Sequence, residues 1–217
     1  MPEEDSSSRN VNLRIDAIDT QRASEDCFKV KLSDGSFFYV SYGFYREAGL
    51  GCGIEADEVL IERMENETVR LHCYRKALEY ALRQESTSFD IIRKLRQKQF
   101  DPKVAENAVA ELERKNLVND ERFARLYIAQ CVRRKKESRL EVAAKLAAKG
   151  IPGGLSRKLI AELYPVEAEE ETAAALVEKA AASGKPAEKT AAALLRKGFP
   201  YKIIKKFLSS ADENGEF

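Results

Sequence analysis

The densest positive charge in the chain lies in the stretch CVRRKKESR at residues 131–139. Lysine and arginine side chains at this density can bind phosphate groups, because each carries a full charge and several hydrogen-bond donors. Such contacts position a protein on a nucleic acid without reading its base sequence. The candidate residues of this run are Arg133, Arg134, Lys135, Lys136 and Arg139. A second basic set on a nearby predicted helix comprises Arg93, Lys94, Arg96 and Lys98. The alternative is that both sets form an ordinary solvated surface.

Residue types that perform catalysis are sparse. His72 is the only histidine, which excludes a serine–histidine–aspartate triad and a multi-histidine metal site. Four cysteines, at positions 27, 52, 73 and 131, form no CxxC pair and predict neither a zinc site nor a redox dithiol. The glycine-rich GLGCG at 49–53 lacks the GK[ST] of a phosphate-binding loop, and no GxSxG or HExxH occurs. The sequence therefore predicts a protein that is not an enzyme and that needs no cofactor or metal.

Charge is distributed unevenly along the 217 residues, although the net charge is only +1. Residues 1–71 carry a net charge of −7, residues 72–164 of +9 and residues 165–217 of −1. A basic middle beside an acidic front indicates an anionic partner for the middle. No run approaches the roughly 20 apolar residues of a membrane span, and MPEEDSSSRN has no apolar signal region. We expect a cytoplasmic protein with reduced thiols and no membrane contact.

One phrase occurs three times, as LRQKQFDPKV at 95–104, LAAKGIPGGL at 146–155 and LLRKGFPYKI at 194–203. Aligned on their first leucine, the copies place apolar residues at the same three positions. These triplets are Leu95, Phe100 and Val104; Leu146, Ile151 and Leu155; Leu194, Phe199 and Ile203. A fixed spacing of about fifty residues is typical of repeated supersecondary units. We interpret the phrase as the turn between the second and third helices of a three-helix unit.

The ends of these helices can also be predicted. Thr87 with Asp90, and Ser138 with Glu141, have the spacing of a capping box, whereas Pro186 occupies the cap position of the third copy. Gly150 and Gly198 suit the left-handed residue that ends a helix, and Gln99 replaces glycine in the first copy. The second helix of the first unit should therefore end less sharply. The prolines expected to open the third helices are Pro102, Pro152 and Pro200.

Apolar residues four apart predict the first helix of each unit, for example Phe123, Tyr127 and Cys131 in the second unit. Asp120 is the expected N-cap of that helix. Continued beyond Cys131, the helix would turn Arg134 towards the core, so we expect it to end or bend near Val132. The corresponding helix of the third unit is alanine-rich and predicts a thin core.

Residues 11–64 have a different pattern. NLRIDAID and CFKVKLSDGSFFYVS read as strands, and Asp34-Gly35 is a hairpin signal between two of them. A short helix is expected near 55–64. Three strands and one helix make a marginal module, which should pack on the first helical unit.

The predicted fold is mainly α: three tandem three-helix repeats in an elongated array, preceded by a small β-rich (α+β) N-terminal domain. The expected boundaries are a disordered lead-in at 1–10, the β-rich domain at 11–68, repeats at 69–117, 118–165 and 166–211, and a loose tail at 212–217.

Three features together resemble the RecX family, the regulatory proteins of the RecA recombinase. They are VNDERFARLYIAQ at 118–130, KALEYALRQESTSFDIIRKL at 76–95 and the KG[IF]P turns. The resemblance covers about residues 70–208, and the strand-rich front is similar to the N-terminal extension of some members. It implies a non-enzymatic modulator, usually an inhibitor, that binds RecA filaments on single-stranded DNA. The implied processes are homologous recombination, DNA repair and the SOS response.

Two other functions remain open at the level of the sequence. A stand-alone DNA-binding protein would use the basic middle to contact single- or double-stranded DNA. A structural adaptor would use the repeats for another partner. No coiled-coil heptads favour a dimer, so we expect a monomer.

Overall fold

The computed structural model describes residues 13–20 and 27–213. The predicted lead-in at 1–10 and residues 214–217 of the predicted tail lie outside the described residues. In chain order the elements are β1 (Leu13–Thr20), β2 (Cys27–Leu32), β3 (Phe37–Ser41), α1 (Tyr42–Glu47), β4 (Glu55–Ala56), α2 (Glu58–Arg83), α3 (Ser88–Gln97), α4 (Pro102–Arg114), α5 (Asp120–Arg134), α6 (Arg139–Ala148), α7 (Gly153–Leu163), α8 (Val166–Ala182), α9 (Ala187–Arg196) and α10 (Tyr201–Glu213).

The four strands form one antiparallel sheet in the order β3-β2-β1-β4. The predicted hairpin between β2 and β3 is confirmed: Gly35 has φ +87°, and the Ser36 backbone N–H and hydroxyl both donate to the Asp34 carboxylate. Val30 and Leu32 are fully buried on one face of the sheet, where they pack with Met64 of α2. Strand alternation therefore buries one face and leaves the other open.

Helix α2 belongs to the sheet domain and to the first helical unit at once. Met64, near its start, is buried in the sheet's core, whereas Cys73 and Ala77 are buried in the core of the first unit. The predicted short helix at 55–64 was therefore wrong. Residues 55–56 form β4, and the helix runs unbroken to Arg83, because no glycine or proline interrupts it. The boundary expected at 68/69 falls inside this helix.

Helix α2 also seals the exposed edge of the sheet. The Thr68 hydroxyl accepts a hydrogen bond from the Tyr39 N–H at 2.9 Å and lies 3.0 Å from the Tyr39 carbonyl oxygen. The carboxylate of the preceding residue, Glu67, accepts from the Ser41 N–H and from Arg70. Edge strands expose unpaired backbone groups, so these contacts satisfy β3 and hold the sheet against the helix.

The helices form three units, as predicted. In the first, α3 and α4 pack on the second half of α2 around Ile91, Leu95 and Leu112. In the second, α5, α6 and α7 enclose Ile128, Leu146 and Leu159. The third unit, α8 to α10, has a smaller core, which contains Ala173, Leu194, Phe199, Ile203 and Ile204. The mainly helical fold with a small N-terminal sheet is thus confirmed.

Caps at the second helices connect neighbouring units. The Thr87 and Ser138 hydroxyls accept from the N–H groups of Asp90 and Glu141, which confirms both predicted caps. Asp120 as the cap of α5 was wrong, because Asn119 occupies that position. The Asp120 carboxylate instead accepts from the backbone N–H and the hydroxyl of Ser88, both at 2.8 Å, at the start of α3 in the preceding unit.

The three prolines lie at the starts of the third helices, but not all at the same position. Pro102 is the first residue of α4, as predicted. Pro152 and Pro200 instead lie immediately before α7 and α10. In each case the fixed φ of proline precedes or begins a helix and removes an N–H that would have no partner.

The glycines of the repeated phrase are contact points between units. A Cβ on Gly150 would lie 2.4 Å from the Cβ of Phe89 in the first unit. A Cβ on Gly198 would lie 2.8 Å from the Cδ2 of Leu140 in the second unit. Real Cβ atoms do not approach side chains so closely, so each glycine lets its turn pack on the preceding unit.

The first copy shows the same turn without this contact. Gln99 has φ +65°, close to the +81° of Gly150 and the +80° of Gly198. The expectation of a less sharp end was therefore wrong, because the backbone adopts the left-handed conformation with either residue. Gln99 is exposed, so its side chain has room that the later copies lack.

We predict that Gly150→Ala destabilises the protein by about 2–4 kcal/mol, from the left-handed φ and the overlap with Phe89. The matched change Gln99→Gly removes a left-handed non-glycine residue and should be neutral or stabilising by up to about 1 kcal/mol. Urea unfolding of both variants measures the difference. A loss below about 0.5 kcal/mol for Gly150→Ala would contradict the packing role.

Candidate nucleic-acid interface

The basic run lies at the junction between α5 and α6. Helix α5 continues to Arg134, two residues beyond the expected end near Val132, and ends at Lys135, which has φ +47°. The expectation that continuation would turn Arg134 towards the core was wrong, because Arg134 lies within the helix and is exposed. Arg133 and Arg134 occupy the last turn of α5, where the helix dipole favours positive charge.

Three residues of this run line a groove between the second and third units. The groove has a volume of about 430 Å³. Its walls are Arg134, Lys135 and Lys136 from the α5–α6 junction, Ala175, Leu176 and Lys179 from α8, and Lys197 at the end of α9. Five of these seven residues are cations and none is acidic. A concave site lined by one sign of charge concentrates ions of the opposite sign.

Two of the five cations have intramolecular partners. Lys135 Nζ lies 2.9 Å from Glu171, and Lys197 Nζ lies 3.5 Å from Glu141. Both lysine side chains are more than two-fifths exposed, and pairs of this kind contribute about 0–1 kcal/mol. Within the described part of the chain, Arg134, Lys136 and Lys179 have no carboxylate within 4.0 Å. The groove therefore retains positive charge for an external anion.

Packing between units places Lys197 in the groove. The Ser138 hydroxyl, at the start of α6, donates to the Lys197 carbonyl oxygen at 2.5 Å. The Lys197 ammonium donates to the Lys136 carbonyl oxygen at 3.1 Å. Both contacts lie beside the Gly198–Leu140 contact. Sequence reasoning missed Lys197 and Lys179, because they are distant along the chain and join the basic run only when the units stack.

Arg139 lies at the same junction but has a different environment. Its backbone N–H donates to the buried Glu169 carboxylate at 2.8 Å, and its Nε is buried without a hydrogen-bond partner among the described residues. Burial raises the pKa of Glu169, although the Arg139 N–H and charge act in the opposite direction. Arg139 therefore contributes to the joint between units and does not line the groove.

The remaining predicted residues also lie outside the groove. Arg133 is exposed on α5. On α3, Arg93 pairs with Asp90 at 2.7 Å, and the Lys94 ammonium lies 5.3 Å from the centre of the Tyr80 ring. Arg96 is exposed on the same helix, and Lys98 is exposed at its C-cap. The structure thus brings three of the nine predicted cations into one concave site.

Residues 13–20 and 27–213 offer neither a candidate metal site nor a candidate membrane-spanning helix. No group of three or more histidine, cysteine, aspartate or glutamate side chains there could hold a metal ion. No helix in that part of the chain is long and apolar enough to cross a membrane.

Tandem three-helix units and an inter-unit basic groove define a helical-repeat protein, and comparison with known proteins specifies the family. A sequence model of the second three-helix domain of RecX matches residues 119–162. Regulatory protein RecX of Amycolatopsis mediterranei is 33% identical over 132 residues, covering 56% of this chain and 75% of the relative. That of Corynebacterium efficiens is 29% identical over 111 residues, covering 46% and 53%.

Two solved structures are similar to most of the fold. A crystal structure of regulatory protein RecX has a TM-score of 0.75 at 22% identity, covering 89% of this chain and 97% of that one. RecX from Lactobacillus salivarius has a TM-score of 0.58 at 25% identity, covering 66% and 97%. The chain belongs to the RecX family, a family of regulatory proteins. Its match spans little more than half the length of the Corynebacterium efficiens relative and of another from Lactobacillus johnsonii.

We predict that the joint between units two and three weakens as the pH rises. Because burial raises the folded-state pKa of Glu169, the native state binds the proton more tightly than the unfolded chain does. This stabilising contribution is complete below the unfolded pKa of about 4.3 and is lost as the pH rises through the folded pKa. Glu169→Gln removes the titration but keeps an acceptor for the Arg139 N–H. Its stability relative to the wild type, measured by urea unfolding, should rise between pH 4 and pH 7, and a constant difference would contradict this.

Proposed function

We propose that this protein binds the RecA filament on single-stranded DNA and inhibits RecA, without catalysing a reaction itself. The observation that carries the proposal is the basic groove between the second and third units, in a chain of the RecX family. The groove cations contact DNA phosphates within the filament, and the stacked units follow the filament surface. The protein acts as a monomer in the cytoplasm, on homologous recombination, DNA repair and the SOS response.

The chemistry of the groove supports a phosphate ligand. Arg134, Lys136 and Lys179 converge without carboxylate partners among the described residues. The other lining side chains, Ala175 and Leu176, are apolar and offer no hydrogen-bonding groups to select a base. Contacts of this composition give sequence-independent binding, which suits a filament that assembles on any DNA sequence.

The direct test is ATP hydrolysis by RecA on single-stranded DNA, with this protein titrated in below one molecule per RecA monomer and with the DNA in excess. The proposal predicts that the hydrolysis rate falls at low ratios, because one bound molecule affects many RecA subunits of a filament. An unchanged rate would show that the fold is present without the RecA partner.

A groove variant tests where the DNA binds. Arg134→Gln, Lys136→Gln and Lys179→Gln together should weaken binding to single-stranded DNA. They should also reduce the slope of log affinity against log salt by about 2, since each phosphate contact contributes about 0.7. The control removes the same charge from the first unit, through Arg96→Gln, Lys98→Gln and Arg114→Gln. Equal losses in both variants would mean that the groove is not the site.

A stand-alone DNA-binding function is the second candidate, favoured by the net charge of +9 in residues 72–164. It predicts tight, strongly salt-dependent binding to single- or double-stranded DNA without RecA, and no effect on the hydrolysis rate once free DNA is in excess. The two functions therefore differ in the same ATP hydrolysis assay.

A further inference from the structure

The sheet has one face that is not used by the hydrophobic core. Val30 and Val40 point into the core and are fully buried. Because side chains alternate along a strand, Lys29 and Lys31 of β2 and Phe37 and Tyr39 of β3 share the opposite face. The strand register places Lys29 opposite Tyr39 and Lys31 opposite Phe37. Neither ring packs against the core cluster, and Phe37 is 49% exposed.

The two rings and one lysine already contact each other. The Phe37 and Tyr39 rings lie edge to face with their centroids 5.7 Å apart. The Lys29 ammonium lies 4.2 Å from the centre of the Phe37 ring. The pair combines an exposed Phe37 with a half-buried Tyr39, on a strand whose edge is fixed by α2, and so forms an apolar surface in contact with solvent.

Cations border this surface although the domain around it is acidic. Residues 1–71 carry a net charge of −7, yet Lys29 and Lys31 are consecutive on this face of β2. Two charges of α2, those of Arg75 and Glu67, lie close enough to act electrostatically on the thiol of Cys27, the next residue of β2 on this face. Asp19 of β1 lies opposite Lys29 but forms no ion pair with it within 4.0 Å. The positive charge therefore follows β2 beside the rings.

We propose that this face binds single-stranded nucleic acid, with bases stacked on Phe37 and Tyr39 and phosphates on Lys29 and Lys31. Aromatic rings on a sheet accept the flat faces of bases, and neighbouring cations accept the backbone. Duplex DNA hides its base faces, so the site selects single strands. A stacking base displaces the Lys29 ammonium from the Phe37 ring and leaves it free to pair with a phosphate.

The inference rests on the proposed function and deepens it, because it adds a second contact to single-stranded DNA in a different part of the fold, the N-terminal sheet. It does not require RecA, since the ligand is the strand itself. The site is also chemically distinct from the groove, which holds five cations and no ring.

The test is fluorescence anisotropy of a labelled oligothymidylate about 16 nucleotides long, with the full chain and without RecA. The variant Phe37→Thr with Tyr39→Thr replaces the rings with β-branched residues, which also favour strands, and should retain the wild-type thermal unfolding curve. We expect its affinity to fall at least about 5-fold, the lower limit for loss of one stacked base. The control Tyr201→Thr removes an exposed ring of the third unit and should leave the affinity unchanged.

The same anisotropy assay tests the roles of charge and of strandedness. Lys29→Gln with Lys31→Gln should lower the salt slope by about 1.4. The aromatic variant should bind a duplex of equal length as the wild type does.

The inference is overturned if the wild type does not bind the oligothymidylate, if the affinity of the aromatic variant is unchanged, or if that variant loses as much affinity for the duplex as for the single strand. It is also overturned if that variant loses RecA inhibition while binding the oligothymidylate normally, because the face would then contact protein. If the variant loses oligothymidylate binding while the wild type leaves RecA unaffected, the inference stands and the proposed function fails.

Discussion

The structure of the helical array depends on one close approach, made by the glycine that ends the second helix of units two and three. Gly150 meets Phe89 and Gly198 meets Leu140, at distances at which an added Cβ would force the facing side chain to move. The packing aligns the end of one second helix with the start of the preceding one. It is completed by Ser138 donating to the Lys197 carbonyl oxygen and by Lys149 pairing with Asp90 at 2.7 Å. A unit too small to bury its own apolar surface is thereby fixed to its neighbour.

The candidate interface is a consequence of this packing. Lys197 reaches the groove because its carbonyl oxygen is held by Ser138, and Lys179 reaches it because α8 begins beside the buried contact between Glu169 and Arg139. The groove therefore belongs to the joint between two units and to neither unit alone. At the other end of the chain, the shared helix α2 attaches the sheet to the first unit, so the aromatic face has a fixed place in the fold.

The sequence correctly predicted the features that depend on residues close together along the chain. The leucines Leu95, Leu146 and Leu194, the caps at Thr87 and Ser138 and the hairpin at Asp34-Gly35 all depend on residues within one turn or one hairpin. The errors arose where a distant residue decides the outcome. Asp120 looks like a cap but accepts hydrogen bonds from Ser88, 32 residues away. The glycines were interpreted as helix ends, yet Gln99 ends its helix equally well, and the need for glycine comes from the preceding unit. Two of the five groove cations were missed for the same reason.

The most direct test of this account is binding of the oligothymidylate by Gly198→Ala beside its control, Gly184→Ala. Both glycines have a left-handed φ, +80° and +68°, but a Cβ on Gly184 meets nothing within 4 Å. Neither change removes a charge. If the joint builds the groove, Gly198→Ala weakens binding by about as much as loss of the groove cations, and Gly184→Ala does not. Equal binding by both variants, with Gly198→Ala still folded, would contradict the dependence of the site on the packing between units.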